Sequence, residues 1–267
     1  KKYILRFKHP SGTSRGVLTE KTSWFIFISE NKNPDVIGIG ECGPLKGLSI
    51  DDRPEFEIKL TDVCNNINRY IDQGEPLTEF PSIQFGLEAA LLDYRSGGNR
   101  VLFPSAFTKG IESISINGLV WMGSFKAMLA QFREKIDAGF TCIKLKIGAI
   151  DFEDEIKLIE AIRKEYAPDR IEIRVDANGA FTRGEVEEKL KRLSQFQIHS
   201  VEQPIGVGQW DEMAELSFKS PIPVALDEEL IGLTDNEQKK KMLSVINPQF
   251  IILKPTLLGG FKSSQEW

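Results

Sequence analysis

The chain has 267 residues, 41% of them hydrophobic and 27% charged, with a net charge of -5 at pH 7. That length can bury a sizeable core and hold one large domain or two, and the composition is that of a globular protein. The acidic balance, without a basic arm or stripe, excludes nucleic acid as the main partner, and no apolar run reaches transmembrane length.

No signal-peptide pattern is visible at the start. The three cysteines, Cys42, Cys64 and Cys142, have neither paired nor metal-type spacing. Reduced thiols are expected, and with them a cytoplasmic protein that engages neither membrane nor nucleic acid.

Residues 1–110 read as an α+β unit, strands first and helices after. Alternation predicts strands over 3–8, 24–29 and 36–41, joined by polar loops such as 10–16. A helix is expected over 54–71, with Phe56, Leu60, Val63, Ile67 and Ile71 on one stripe. A second is expected over 82–94, ended by Gly97 and Gly98. The stretch Gly38-Ile39-Gly40-Glu41-Cys42-Gly43 has the glycine spacing of a dinucleotide loop. That motif needs a helix directly behind it, whereas Pro44-Leu45-Lys46-Gly47 follows, so its glycines are assigned to turns.

Residues 111–267 alternate strands with helices. Strands are predicted over 114–120, 143–147 and 171–176, with further strand ends at 200–202, 224–227 and 250–254. Ser124 caps a helix carrying Phe125, Leu129, Phe132 and Ile136, and Gly139 ends it. Phe152, Ile156, Ile159 and Ile162 mark the next helix. Thr182 and Glu185 have capping-box spacing before Val186, Leu190 and Leu193.

In Ile143-Lys144-Leu145-Lys146-Ile147 the apolar residues take one face of the strand, and Lys144 and Lys146 share the other. Polar residues at the strand ends then recur at 146, 176, 202, 227 and 254, about 25 to 30 residues apart, the length of a βα unit. An open sheet concentrates its site at one switch point, whereas a barrel gathers residues from many strand ends onto one face. The expected fold is therefore a (β/α)8-type TIM barrel with an N-terminal α+β capping domain. Six strands do not close an eight-stranded barrel, and the sequence stops at Trp267, early in the helix after the sixth. The expectation is a longer natural protein, with the C-terminal part of the barrel absent from this chain.

A lone strand-end aspartate often only caps a helix. Asp176, Glu202 and Asp227 in succession, with lysines upstream and downstream, point to chemistry instead. Three carboxylates suit Mg2+, with Mn2+ as the alternative, and the absence of nearby His or Cys disfavours zinc. Lysines beside a carboxylate-bound cation suit proton abstraction next to a substrate carboxylate. Two ammonium groups ~7 Å apart at an effective dielectric of ~20 disfavour each other by roughly 2.4 kcal/mol, which favours loss of a proton from one of the pair but does not suffice without the metal.

Lys144-x-Lys146, Asp176-Ala177-Asn178-Gly179, Glu202-Gln203-Pro204, Asp227-Glu228 and Lys254-Pro255, in this order, resemble the enolase superfamily in its muconate-lactonizing subgroup. Within it the chain is most similar to the o-succinylbenzoate synthase family, whose capping domain the segments Thr13-Ser14-Arg15-Gly16 and Gly40-Glu41-Cys42-Gly43-Pro44-Leu45 also resemble.

The resemblance implies a Mg2+-dependent lyase of menaquinone biosynthesis. Its reaction would be dehydration of 2-succinyl-6-hydroxy-2,4-cyclohexadiene-1-carboxylate to o-succinylbenzoate, with a small-molecule carboxylate as the partner. It further implies Lys146 as the base that later returns the proton, and Lys254 on the opposite face as a cation–π stabiliser. Asp176, Glu202 and Asp227 would be the metal ligands, supported by Asn178 and Glu228. Lys144 would bind the substrate carboxylate, and Ser14 and Arg15 would close over the succinyl tail.

N-Succinylamino acid racemases and dipeptide epimerases use the same two lysines and form the alternative. A mandelate-racemase-like activity would need a histidine base, for which His9 and His199 are poorly placed. The non-enzymatic alternative is an inactive barrel-derived binding protein, against which the retention of every charged site residue argues. The family's dimers and larger assemblies leave a homo-oligomer open.

Overall fold

Three antiparallel strands begin the chain in the computed structural model, which describes residues 1–13 and 16–267. They are β1 (Lys2–Thr13), β2 (Gly16–Glu30) and β3 (Asn33–Cys42), paired in that order. The strands expected over 24–29 and 36–41 lie inside β2 and β3. The loop expected over 10–16 is corrected, because β1 continues to Thr13 and pairs as far as Thr13 opposite Gly16, across an irregularity between Arg6 and Ser11. Its start leaves Tyr3, Ile4 and Leu5 exposed. A ribbon that projects from the core needs no apolar alternation, so composition alone does not mark where it ends.

Two helices, α1 (Phe56–Asn65) and α2 (Ile67–Ile71), replace the single helix expected over 54–71. The break falls at Asn66, whose φ of -123° and ψ of 38° leave the helix. Its side-chain amide donates back to Asp62 Oδ1 at 2.8 Å, a local bond that competes with helix continuation. Next comes α3 (Pro81–Arg95), opened by a proline that presets its φ and stopped where Gly97 and Gly98 turn left-handed at 86° and 68°. Ile26, Phe56, Leu60, Val63, Ile83 and Leu87 form the core of this part.

The glycine assignment is also corrected. Gly38 and Gly40 sit within β3, and neither has a positive φ. A Cβ on Gly40 would lie 1.8 Å from Gly86 O, and one on Gly38 would lie 2.1 Å from Ala90 O. The glycines let β3 approach α3 backbone to backbone; they do not turn the chain.

The rest of the chain alternates β4 (Gly118–Val120), α4 (Phe125–Asp137), β5 (Cys142–Lys146), α5 (Phe152–Glu165), β6 (Glu172–Asp176), α6 (Val186–Ser194) and β7 (Ser200–Glu202). It continues through α7 (Trp210–Lys219), β8 (Val224–Leu226), α8 (Asn236–Ile246), β9 (Phe250–Ile251), α9 (Pro255–Leu258) and α10 (Gly260–Glu266). The six strands are parallel, and each neighbours the next in sequence, as in a barrel wall.

β4 is shorter than the 114–120 expected. Only Gly118–Val120 find partners in β5, and Ile114 and Ile116 face solvent despite their strand-like alternation. β9 likewise stops early, although Ile252 N still donates to Leu226 O at 2.8 Å.

Ile143, Leu145, Ile173, Val175 and Val201 are fully buried among Phe132, Ile159, Ile162, Leu190 and Leu193 of the covering helices. Each such side chain contributes ~1.5–3 kcal/mol of burial free energy. That apolar face turns the alternate residues, Lys144 and Lys146 among them, to the other side of the sheet.

The two cores meet where Glu88 of α3 accepts from Phe261 N at 2.6 Å, at the start of α10, beside the packed rings of Phe85 and Phe261. Among the described residues no helix is long and apolar enough to cross a membrane.

Candidate active site

The site begins with register. Lys146 of β5 pairs with Asp176 of β6, and Asp176 pairs with Glu202 of β7. Neighbouring strands lie ~4.8 Å apart, so the three side chains form a row at the C-terminal ends of their strands. Lys146 Nζ reaches Asp176 Oδ2 at 2.5 Å and Asn178 Oδ1 at 2.8 Å. Lys144 Nζ bridges the two acids, at 2.9 Å from Asp176 Oδ2 and 2.5 Å from Glu202 Oε2.

Asn178 follows from the turn after β6, where its φ of 47° is left-handed, and its amide donates to Glu228 Oε1 at 2.9 Å. Asp227 and Lys254 lie just beyond β8 and β9 and form an ion pair with each other. The structure therefore joins Lys144, Lys146, Asp176, Asn178, Glu202 and Glu228 into one network, with Asp227 and Lys254 paired at the next strand ends. Ser14 and Arg15 lie outside the described residues.

The electrostatics are uneven. Burial would raise the Asp176 carboxyl, but the ammonium groups of Lys144 and Lys146 outweigh it and hold the group below the usual carboxylate range. Glu202 goes the other way. Burial and the adjacent Asp176 charge push it up to about 8, and Lys144 offsets only part of this. Lys144 is itself buried, which would lower it, yet the two carboxylates hold it above the usual lysine range.

Glu202 Oε1 is buried, and among the described residues no donor reaches it. An acceptor buried without a donor costs ~1–3 kcal/mol, which a cation at that oxygen would relieve. The donor set thus fits a hard divalent ion: three buried carboxylates on adjacent strand ends, one with a free oxygen. In this arrangement the carboxylates turn to lysines, and among the described residues no three acidic side chains close around one point.

Three contributors carry no role in the sequence reading. Gln203, fully buried, links the ends of β7 and β8. Glu229 accepts from Trp210 Nε1 at 2.7 Å and from Gly208 N at 2.9 Å. Glu155, whose carboxyl is pushed up by burial, accepts from Gly148 N at 2.6 Å and closes the loop after Lys146. The one available signal was position: Gln203 lies inside Glu-Gln-Pro, and Glu229 follows Asp227-Glu228. His199 stacks on Phe250 at the opposite end of β7 from Glu202, away from this row.

The Enolase C-terminal domain-like family matches residues 127–266. An o-succinylbenzoate synthase of Desulfotalea psychrophila is 44% identical over 295 aligned positions, spanning 98% of this chain and 79% of that protein. The crystal structure of MenC from Desulfotalea psychrophila LSv54 superposes with a TM-score of 0.83 and 37% identity, covering 100% of this chain and 81% of the other. The o-succinylbenzoate synthase of Thermosynechococcus elongatus, solved with Mg in its active site, superposes with a TM-score of 0.78 over 99% of this chain and 78% of its own. Its identity of 23% speaks to the fold alone.

Proposed function

Because this chain belongs to the enolase superfamily, we propose that it is a Mg2+-dependent lyase. The reaction is dehydration of 2-succinyl-6-hydroxy-2,4-cyclohexadiene-1-carboxylate to o-succinylbenzoate. The observation that carries the reading is the in-register row of Lys146, Asp176 and Glu202, with Lys144 across both acids. Similarity to the Desulfotalea enzyme over 98% of the chain supports the choice of substrate.

Asp176, Glu202 and Asp227 would hold Mg2+, with Asn178 and Glu228 orienting them. Once bound, the ion supplies a fixed positive charge that acidifies the carbon–hydrogen bond beside the substrate carboxylate. Lys146 Nζ removes that proton. The electron pair left on carbon expels the ring hydroxyl, which takes the proton back from Lys146 and departs as water, leaving the ring aromatic. Lys144 binds the substrate carboxylate, and Lys254 lies over the opposite face of the ring as the charge develops.

Residues 1–110 form the cap in this reading, and residues 111–267 carry the chemistry. Ile50 of the cap lies against the turn after β8, since a Cβ on Gly232 would come within 3.6 Å of its side chain. Ser14 and Arg15 are assigned to the succinyl tail.

The test is to supply the purified protein with Mg2+ and the cyclohexadiene substrate and follow o-succinylbenzoate by absorbance. Parallel samples in D2O contain N-succinylamino acids or dipeptides. Dehydration is expected. Deuterium incorporation and epimerisation without dehydration would replace the reading with a racemase.

A further inference from the structure

We infer that Gln203 is a positioning residue that sets the spacing of Asp176, Glu202 and Asp227, an inference that rests on reading those carboxylates as the ligand set. Gln203 touches all three strand ends at once. Its N–H donates to Ala225 O of β8 at 2.8 Å, and its carbonyl accepts from Gly179 N, just past Asp176, at 2.7 Å. Its side-chain Oε1 accepts from Asp227 N at 3.3 Å and Glu229 N at 3.2 Å. Its Nε2 donates to Ile205 O at 3.0 Å and Glu229 Oε2 at 3.2 Å.

The residue is fully buried, and its φ of 40° lies in the left-handed region. A side chain other than glycine keeps such a backbone only where its surroundings over-determine it. Here the surroundings are the three loops that carry the acids. Glu229 extends the clasp to Gly208 and Trp210, tying it to the start of α7.

Only a side-chain amide serves both ends. An apolar residue would leave Asp227 N and Glu229 N without an acceptor, and a carboxylate would face the Glu229 carboxylate. Glu202 is the adjacent residue, so a shift of Gln203 moves one acid directly and a second through the Asp227 backbone.

The test compares Gln203→Glu with the double exchange Gln203→Glu, Glu229→Gln, which puts an amide and a carboxylate face to face again between positions 203 and 229 while Ile205 O stays without its donor. Mg2+ binding is measured by calorimetry without substrate, beside thermal unfolding and the split between kcat and KM. Gln203→Glu is expected to weaken Mg2+ binding by at least about tenfold, the range for groups that orient metal ligands, and the double exchange to recover part of it through the restored contact to residue 229. A purely structural residue would shift the unfolding midpoint and leave the affinity of the folded protein unchanged. Unchanged affinity in Gln203→Glu overturns the assignment. So does a double exchange that fails to fold, or that folds without recovering affinity. Absence of Mg2+ binding by the unmodified protein overturns instead the reading on which the inference rests.

Discussion

Asp93 in α3 and Glu202 at the end of β7 are both buried carboxylates, one in each part of the molecule. Asp93 accepts from Ile39 N at 2.9 Å and Arg100 N at 2.7 Å, and it pairs with the Arg100 guanidinium. Burial would raise its pKa, but those partners outweigh it and hold the group below the usual range. Glu202 has one lysine, a like charge beside it and, among the described residues, an oxygen without a donor, and it is pushed up to about 8. A satisfied acid joins α3, β3 and the chain that follows into one unit. An unsatisfied acid costs stability where it stands, and that cost marks where a ligand belongs.

The strongest way to break this contrast is to remove divalent ions. Chelation should abolish turnover, and added Mg2+ should restore it; full activity in a chelated sample would remove the cation from the reaction. Next comes Lys146→Ala, expected to lower kcat by at least ~100-fold, the lower end of general acid–base contributions. Lys146→Arg should behave alike, since a guanidinium stays protonated. Solvent exchange of the substrate's abstractable proton should fall with it, and exchange at the unmodified rate would mean that another group is the base.

Asp93→Asn acts on the other member of the comparison. It should cost about 2 kcal/mol in denaturant unfolding, because only one of the two backbone donors keeps an acceptor, the other facing the amide NH2, and Arg100, half-exposed, is partly screened. Turnover per folded molecule should be unchanged. Asp93 has a folded pKa below its ordinary 3.8, so its stabilisation is complete above that value and is lost as pH falls through the folded value. The variant should therefore lose less stability than the unmodified protein on acidification below that value.

The smallest effect sharpens the contrast at Glu202. Its folded pKa is raised from 4.5 to about 8, so the ion-free protein keeps this contribution below the unfolded value and loses it as pH rises through about 8. The gain in Tm on adding Mg2+ should grow by a few degrees between about pH 5 and 8.5. Thermal scans of the chelated protein and of Glu202→Gln would show it, with the slope absent in the variant.

Much of the architecture was legible along the chain because its signals are local. The alternation around Lys144 and Lys146, the Ser124 cap, whose Oγ accepts from Ala127 N, and the glycines after α3 each depend on a few neighbouring residues. Apart from the helix break at Asn66, which is local, the errors share one cause. Gly38 and Gly40 read as turn glycines in sequence because their partners, Ala90 and Gly86, lie far off along the chain. Residues 114–117 alternate like a strand but have none to pair with, and β1 extends because β2 runs beside it.

By itself, the order of residues determined the succession of βα units and which acids and lysines stand at strand ends, since period and repeat length are properties of the chain alone. Tertiary structure alone decided that Lys146, Asp176 and Glu202 stand side by side, that Lys144 bridges two acids, and that one oxygen of Glu202 meets no donor among the described residues. Those outcomes depend on strand register and on distances between residues tens of positions apart. A one-residue slip of either strand would undo them while leaving every local pattern as it was.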